Sequence, residues 1–597
     1  METTDAPRGG SFLIAPLDDP RFTVTEFTEE QLLYARTAED FVTGEVLPRL
    51  AEIEAKKPGV MPALLKRAGQ LGLLMVDIPE RYGGLGLSKT TSLLIAERSA
   101  KCASFSVSWG AHTGIGTLPL LYYGTEAQKQ RYLPKLASGE MLAAYALTEP
   151  GSGSDALAAR TTAVKTADGK HYELTGVKQF ITNAGFADLF TVFAKVDGEH
   201  FTAFLVERGF PGVSTGPEEQ KLGIRGSSTR QLILEKARVP VENVLGAVGQ
   251  GHKIAFNILN IGRFKLGAGA VGVAKECLDA AVRYASERTQ FGQPITSFGM
   301  IQRKIADMAT RIYAADSQSY RTAALMDAAI AGLDPAAADY DRRVIEEAIE
   351  EYTIEDSITK VFGTETLDFV ADESLQILGG YGFTEDYPIE RHYRDSRVNR
   401  IFEGTNEINR LIIPATLLKR VGQSRLPYLD FVRRVAAEID DESRRPPGPE
   451  GPLARERHAV DMARRVVAYT VKVMVERELA SLKTKQQHLE ILANMTIDLY
   501  ATDSTLARTV ALVQRLGEEA TAVQRDMAHV FAASAVDRVA DGARRLLANE
   551  AATDEELRGH LARLERLVPF FPIRTIAVKT RIAERIVADR GWKLSAG

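Results

Sequence analysis

The sequence has little cysteine, no excess of one charge and no long apolar run. Its 597 residues contain 2 cysteines, Cys102 and Cys277, which lie too far apart for a metal-ligand motif and offer no disulfide framework. Basic and acidic residues nearly balance at a net charge of −5, so a nucleic-acid surface is not expected. No stretch approaches the roughly 18 to 20 apolar residues of a membrane span.

The start of the sequence also lacks the pattern of a targeting segment. Residues 1–5 read Met-Glu-Thr-Thr-Asp, and no basic region with a following apolar run occurs there. With the scarce cysteine, this predicts a soluble protein of a reducing compartment. We expect a cytoplasmic location of bacterial type, with at most peripheral contact with the inner membrane surface.

The length predicts several domains, because single cores seldom grow beyond about 250–300 residues. The spacing of apolar residues predicts helices, then short strands joined by tight turns, then helices again. A proline-rich run at 444–452 predicts a linker. The expected fold is mostly α with a central β domain, divided into an N-terminal helical domain at 25–142, a β domain at 143–255, a helical bundle at 256–425, a linker at 426–452 and a helical extension at 453–597.

One glycine pattern has two interpretations. Gly267, Gly269 and Gly272 match G-x-G-x-x-G, which marks a dinucleotide loop when it follows a strand and opens a helix. The residues at 256–264 are instead spaced like a helix that continues through the glycines. We therefore favour a helix whose small residues permit close packing, with a phosphate loop as the alternative.

Residues 400–408, Arg-Ile-Phe-Glu-Gly-Thr-Asn-Glu-Ile, place a carboxylate between an apolar pair and a glycine. Gly404 lets the backbone turn sharply and approach a ligand. Apolar surroundings raise the pKa of a glutamate above its reference of about 4.3, to where it accepts a proton at neutral pH. Glu403 is therefore a candidate general base. On these residues alone, the alternative is a helix cap or a solvated turn.

A second candidate site is the loop at 145–155, Tyr-Ala-Leu-Thr-Glu-Pro-Gly-Ser-Gly-Ser-Asp. Its glycines let backbone N–H groups converge on an anion, and Thr148 and Ser154 add hydroxyl donors. An anionic cofactor is one interpretation of the loop, and a plain surface loop is the other.

Five motifs in order give the sequence a resemblance to the acyl-CoA dehydrogenases, over about residues 25 to 420. They are the loop at 145–155, Lys-Gln-Phe-Ile-Thr-Asn-Ala at 178–184, Arg-Thr-Gln-Phe-Gly at 288–292, Gln-Ile-Leu-Gly-Gly at 376–380 and Ile-Phe-Glu-Gly-Thr at 401–405. The chain is most similar to the very-long-chain branch, with its C-terminal helical extension. The resemblance implies a middle β-barrel or sandwich domain and a C-terminal four-helix bundle.

The resemblance also implies FAD in a cleft between the helical and β domains. Glu403 would take the proton alpha to a thioester carbonyl while the beta hydride passes to the flavin, leaving a trans-2-enoyl-CoA. The cofactor residues implied within the cleft are Tyr145, Leu147, Thr148, Gly153, Ser154, Phe180, Ile181, Thr182, Thr405, Asn406 and Glu407. Those implied to reach the adenosine end of an FAD held mainly by the partner subunit are Arg288, Phe291, Phe298, Gln376, Ile377, Leu378, Gly379 and Gly380.

The substrate residues implied by the resemblance are Ser154, Asn260, Arg263, Phe402 and Gly404, and no metal is implied. For Arg263 the alternative is a surface cation or a domain-bridging ion pair, and for Phe402 it is a plain core role. The N–H of Glu403 would polarise the thioester carbonyl.

The acyl chain is expected to run along the helices at 106–120. Gly110, Gly114 and Gly116 should leave room there. One departure from the family pattern is Phe180, which stands where many relatives have tryptophan, although an aromatic face can still contact a flavin.

A shared cofactor implies at least a dimer, here a homodimer, and the family implies an electron-transferring flavoprotein as electron acceptor. The expected reaction is one step of fatty-acid beta-oxidation on long-chain acyl-CoA. The expected role of the extension is structural, covering a surface that smaller relatives use to form tetramers. Two alternatives remain, namely an acyl-CoA oxidase that uses oxygen and an assembly or scaffold member with little turnover.

Overall fold

The computed structural model of the chain describes residues 6–478, 481–568 and 574–594. It begins with a helical domain whose longer helices start at hydroxyl caps. Thr28 and Thr125 each form a capping box with the glutamine three residues later. The helices of this domain are α1 Glu29–Phe41, α2 Leu50–Glu54, α3 Val60–Gln70, α4 Lys89–Arg98, α5 Ala103–Gly110, α6 Leu118–Tyr123 and α7 Glu126–Ser138.

The middle domain is an eight-stranded sheet in the order β6-β7-β3-β2-β4-β5-β8, with β1 paired to β4. β1 and β2 run parallel to β4, and the other pairs are antiparallel. Alternate residues of β4 and β5 face different clusters of buried apolar side chains, so the sheet packs on both faces. The strands are β1 Ala143–Ala146, β2 Thr162–Lys165, β3 His171–Thr182, β4 Leu189–Val196, β5 His200–Glu207, β6 Val213–Thr215, β7 Thr229–Pro240 and β8 Val244–Leu245.

A bundle of long helices follows, and its centre is the packing of α8 against α11. Gly267 of α8 lies against Thr359 and Gly363 of α11 so closely that a Cβ at Gly267 would approach the Thr359 side chain to 2.7 Å. The glycine pattern thus lies inside a helix and permits close packing, as favoured above. The elements are α8 Gly251–Glu287, the hairpin β9 Thr289–Gln290 and β10 Gln293–Pro294, α9 Gly299–Ala331, α10 Tyr340–Arg343, α11 Thr353–Leu378, α12 Pro388–Ser396 and α13 Asn406–Gly422.

The chain ends in further helices that pack on this bundle through α9 and α13. The expected linker at 426–452 is wrong over its first half, because Tyr428, Phe431, Val435 and Ile439 recur at helical spacing and are buried. Only the proline-rich part after α14 is irregular. The helices are α14 Tyr428–Asp440, α15 Ala454–Glu478, α16 Gln486–Leu516, α17 Ala522–Glu550, α18 Asp554–Leu567 and α19 Thr575–Ala588.

The segment before α1 is buried between the bundle and the extension. Arg464 of α15 donates from Nε to the carbonyl of Phe12 at 2.6 Å, and Arg321 of α9 donates to the carbonyl of Leu17. The ring of Phe12 lies 4.7 Å from that of Tyr500, centroid to centroid. The segment before α1 is therefore in contact with α15 and α16 of the extension.

Among the described residues, no helix is both apolar enough and long enough to cross a bilayer. The residues on which the expectation about targeting depends, 1–5, lie outside the described part of the chain.

Candidate active site

A cleft of about 990 Å³ opens where the sheet domain meets the bundle. The ends of β1 and β3 form one wall, and α8 with the turn before α13 forms the other. This brings together most of the residues that the sequence singled out within the cleft. They are Tyr145, Leu147, Thr148, Gly153, Ser154, Phe180, Ile181, Thr182, Asn260, Arg263, Phe402, Glu403, Gly404 and Thr405.

The turn that carries Glu403 has an unusual backbone. Glu403 has φ 58° and Gly404 has φ 76°, so two consecutive residues are in the left-handed region, at a cost of about 1–3 kcal/mol for the glutamate. Side-chain donors hold the turn in this form. Arg263 donates from Nε to the Glu403 carbonyl at 3.3 Å, and Asn409 donates to the Gly404 carbonyl at 2.9 Å.

Glu403 is half-buried in the wall of the cleft, and no described residue donates a hydrogen bond to its carboxylate. Its Oε2 is buried and accepts no hydrogen bond from the described residues. Burial raises the pKa of Glu403 to about 7, against the smaller lowering by the nearby Arg263 and Lys360 cations. The helix cap of α13 is Thr405, whose Oγ1 accepts from the Ile408 N–H at 3.3 Å. Glu403 is thus not a cap, and a carboxyl with a pKa near 7 is suited to accept a proton at neutral pH.

Gly262 of α8 makes room for this carboxylate. A Cβ at Gly262 would lie 2.3 Å from Oε2 and 2.7 Å from Cδ of Glu403, which is closer than atoms approach. Any larger residue here would displace the carboxylate. Sequence analysis missed Gly262, because nothing along the chain links it to a residue 141 positions later.

Phe180 faces the cleft because of an irregularity in the sheet. The pairing of β3 with β7 shifts register between Lys178 and Ile181, and such a bulge redirects side chains. Phe180 has φ 58° and is 61% exposed within the cleft. Its ring is therefore free to contact a flat ligand.

A buried ion pair supports the loop at 145–155. Lys178 donates from Nζ to Oε1 of Glu149 at 2.7 Å and to the Leu147 carbonyl at 3.3 Å. Glu149 also accepts from the Thr161 hydroxyl at 2.5 Å. These contacts fix the backbone of the loop, so that Thr148 and Ser154 reach the cleft on a rigid base.

The interpretation of Arg263 as a surface cation is wrong. The side chain is buried, and NH1 donates to Oδ1 of Asn260 at 2.7 Å. Asn260 in turn donates to Thr353 at 3.1 Å. Both residues line the cleft. Phe402 is half-buried and faces open space on two sides, so a plain core role is wrong for it as well.

The outer rim of the cleft is rich in cations. Sequence analysis missed these residues because they come from separate segments, and each alone resembles an ordinary surface charge. Two of them also form ion pairs, Arg394 with Glu390 and Arg425 with Glu351. The cationic rim residues are Lys221, Arg394, Arg397, Lys419 and Arg425.

A second cavity of about 140 Å³ adjoins the cleft, and both are lined by Phe402 and Glu403. It runs between α4, α5 and α8, where the acyl chain was expected. Gly110 and Gly114 line it and have open space beside them. Gly116 does not, because a Cβ there would lie 2.7 Å from the Ala111 carbonyl oxygen. The expectation is therefore wrong for Gly116, which serves close backbone packing.

The remaining cofactor residues do not line the cleft. Asn406 is buried, and its amide contacts Lys360, Thr364 and Glu365. Glu407 is exposed. Of the set implied to reach adenosine, Ile377 and Leu378 are buried in the core, so their side chains are not available to a cofactor. The other members lie at or near the surface, outside the cleft: Arg288, Phe291, Phe298, Gln376, Gly379 and Gly380.

Comparisons with known proteins agree with this geometry. Four family models match the chain, all of them for acyl-CoA dehydrogenases: the N-terminal domain over 28–140, the middle domain over 144–237, and C-terminal domains over 249–418 and 463–566. A "Probable acyl-CoA dehydrogenase" of Bacillus subtilis is 46% identical over 588 residues, covering 98% of each chain. The human "Very long-chain specific acyl-CoA dehydrogenase, mitochondrial" is 44% identical over 359 residues, which are 58% of this chain and 52% of that protein.

A solved structure covers the whole architecture. The crystal structure of an acyl-CoA dehydrogenase complexed with FAD from Bacillus anthracis superposes with a TM-score of 0.96 at 46% identity, covering 98% of this chain and 100% of the other. The chain belongs to the acyl-CoA dehydrogenase family. It is a flavoprotein oxidoreductase of fatty-acid metabolism, and its cofactor is FAD.

Proposed function

We propose that the protein removes the alpha and beta hydrogens of an acyl-CoA, with Glu403 as the base. The observation that supports this most directly is the buried, unpartnered Oε2 of Glu403 at the wall of the cleft. A carboxylate oxygen in that state has nothing to bind except what enters the cleft. Its pKa of about 7 makes it an effective proton acceptor at neutral pH.

The alpha proton of a thioester is a weak acid, so the carbonyl oxygen needs donors as negative charge develops on it. The N–H of Glu403 makes no hydrogen bond with the described residues, and we propose it as one of these donors. A bound acyl chain would displace water from the cleft and strengthen both effects.

The cleft residues fit FAD. The glycine-containing loop at 145–155 offers open space at Gly153, the hydroxyls of Thr148 and Ser154 are donors, and the Phe180 ring offers a flat apolar face. When bound, FAD accepts the beta hydride. We propose that the cleft members of the implied set, with Thr405, hold its flavin and phosphates.

The cationic rim fits the phosphates of coenzyme A, because clustered cations favour a polyanionic substrate. We propose that CoA lies against Arg397, Lys419 and the other rim cations, while its acyl chain enters the second cavity. A long apolar chain is the substrate that this cavity favours, since its lining is mainly small and apolar side chains.

We also propose a homodimer in which each FAD lies across two subunits. Phe291 is 93% exposed and its ring lies 5.9 Å from that of Phe298, and Met300, Tyr381 and Phe383 are exposed as well. Exposed apolar clusters of this kind mark protein or ligand interfaces. Arg288 lies over the Tyr381 ring at 5.8 Å. Of these residues, Arg288, Phe291 and Phe298 belong to the set implied to reach the partner's cofactor. The electron acceptor would be an electron-transferring flavoprotein. For the domains, we retain the boundaries after residues 142, 255 and 425 as a proposal. Helix α14 is assigned to the extension, and the linker is reduced to the irregular residues between α14 and 452.

The experiment is anaerobic titration of the FAD-loaded protein with acyl-CoAs of graded length, following the loss of flavin absorbance. The proposed function requires bleaching, with the fastest rate for long chains. Glu403→Gln should keep FAD and bind acyl-CoA but lose several orders of magnitude in rate. Glu490→Gln removes an exposed carboxylate of the extension and should change nothing.

No bleaching with any acyl-CoA would refute the proposal and favour a scaffold. Bleaching followed by peroxide formation in air, equal to substrate consumed, would replace the dehydrogenase by an oxidase. Substantial activity of Glu403→Gln would show that another residue is the base.

A further inference from the structure

Lys360 of α11 lies directly beneath the turn that carries Glu403. It is 0% exposed, and its Nζ donates to the Gly404 carbonyl at 2.8 Å and to Oδ1 of Asn406 at 2.6 Å. It does not line the cleft. Its side chain therefore acts on the turn and not on a ligand.

The cation has no carboxylate at ion-pair distance among the described residues. The charged groups that act on it are the carboxylates Glu403, Glu365 and Glu407 and the cation Arg263. Burial lowers the pKa of Lys360 to about 7, while Glu403 opposes this shift. A buried ammonium of this kind costs free energy unless its donors are used. The Gly404 carbonyl and the Asn406 side chain therefore hold the ammonium in place, and the ammonium in turn fixes the positions of these two acceptors.

A chain of hydrogen bonds leads from this lysine into the C-terminal extension. Asn406 donates to Oε1 of Glu365 at 3.0 Å, and Arg410 donates through both terminal nitrogens to Glu365 at 2.8 Å and 3.0 Å. The remaining nitrogen of Arg410, Nε, donates to Oδ1 of Asn494 in α16 at 2.8 Å. Each of the three guanidinium nitrogens of Arg410 thus donates a hydrogen bond in this chain. The last acceptor, Asn494, belongs to the extension.

We propose that Lys360 is a positioning residue for Glu403, and that the C-terminal extension holds it in place through this chain. The inference deepens the proposed function and depends on Glu403 being the base. It gives the extension an effect on catalysis in addition to any role in covering a surface.

The backbone of the turn explains why such support is needed. Two consecutive left-handed residues persist only where the surroundings enforce them. Without Lys360, the Gly404 carbonyl would keep Asn409 as its only side-chain donor among the described residues. The turn could then relax and move the carboxylate, and a displacement of about 1 Å is enough to slow a proton transfer about 100-fold.

The test compares two variants with a matched control. Lys360→Met removes the donor and the charge at nearly constant length. Arg410→Met breaks the chain at its link to the extension. Arg538→Met is the control, because Arg538 also donates through two nitrogens, Nε and NH2, to one carboxylate, that of Asp498, and lines the same cavity of about 800 Å³ as Arg410. Its contact lies within the extension.

Three quantities are measured in each FAD-loaded variant: the melting temperature, the rate of flavin reduction by acyl-CoA at each pH, and the pH at which the Glu403 carboxyl ionises. The pH of ionisation is measured in the absence of substrate, from the infrared band of the protonated carboxyl group. The band is assigned to Glu403 by its absence in Glu403→Gln. We expect a rate loss of about 100-fold for Lys360→Met, about tenfold for Arg410→Met and less than about twofold for Arg538→Met.

Lys360→Met should also move the ionisation of Glu403 to higher pH, because a cation near the carboxylate is lost. A purely structural lysine would lower the melting temperature and leave the rate of flavin reduction unchanged at a pH where Glu403 is fully ionised, and that result would overturn the proposal. If Lys360→Met does not fold, the comparison of Arg410→Met with Arg538→Met decides, and equal rates would overturn the role of the extension. Failure of the unsubstituted protein to bleach would instead refute the function itself.

Discussion

The space opposite Glu403 can be removed by a single methyl group. In Gly262→Ala the new Cβ would lie 2.3 Å from Oε2 of Glu403, whereas ordinary contact begins at 3.4 Å. The carboxylate must therefore move by about 1 Å, since the helix backbone is fixed by its packing against α11. A displacement of that size lowers the rate of a positioned proton transfer about 100-fold, which corresponds to about 2.7 kcal/mol.

The variant should fold at least as well as the parent. Alanine in a helix interior is favoured over glycine by about 0.5–1 kcal/mol, and the group displaced is the end of a flexible side chain. The assay is the first-order rate of flavin reduction under saturating acyl-CoA, together with the melting temperature. We expect a large fall in rate with an unchanged or higher melting temperature.

The control is Gly422→Ala, which adds the same methyl to an exposed glycine of α13 with open space around it. It should raise the melting temperature slightly and leave the rate unchanged. If Gly262→Ala reduced flavin at the parent rate, the position of the Glu403 carboxylate in this structure, or its role as base, would be wrong.

Four further predictions concern the pH dependence of the rate, the pH dependence of stability, the acyl chain and the dimer. The rate of flavin reduction should rise with pH through about 7, because Glu403 must be ionised to accept a proton; a flat profile between pH 6 and pH 8 would contradict this. The pKa of Glu403 in the folded protein, about 7, lies above the ordinary value of a glutamate, so ionising this residue destabilises the fold. Glu403→Gln should therefore melt above the parent at pH 8 and lose this advantage as the pH falls below about 7. Gly114→Leu should fill part of the second cavity and shift the preference to shorter acyl-CoAs in the graded titration; an unchanged preference would show that the chain lies elsewhere. Phe291→Asp should lower both the dimer fraction in sedimentation and the FAD content, whereas an FAD-replete dimer would place the interface elsewhere.

The sequence predicted the features that depend on local pattern. The continuous α8 followed from apolar spacing through the glycines. The assignment of Glu403 as the base, which stays a prediction, followed from a carboxylate set between apolar residues and Gly404. Both depend on residues that are near each other in the chain. The cofactor and the family followed from five such local motifs taken together.

What the sequence did not predict depends on contacts between distant segments. The space at Gly262 exists only because α8 crosses the turn of Glu403. The same holds for Lys360, whose function is visible only where its Nζ meets the Gly404 carbonyl. The cationic rim is likewise spread over several segments, so no local pattern marks it.

Two errors have a simpler origin. The proline-rich run made the whole of 426–452 look like a linker, although Phe431, Val435 and Ile439 have helical spacing and form α14. Gly116 was grouped with Gly110 and Gly114 as space for an acyl chain, but whether a glycine leaves a void or admits a neighbouring backbone depends on what packs beside it.

The burial of the N-terminal segment has a consequence for how the protein is made. The ring of Phe12 packs against Tyr500, and its carbonyl accepts a hydrogen bond from Arg464. Both partners leave the ribosome only after more than three quarters of the chain has been synthesised. Contacts of such long sequence separation form late and slow the final step of folding. Until then Phe12 lacks these two partners, so the first segment completes its packing only after the helices of the extension have been made.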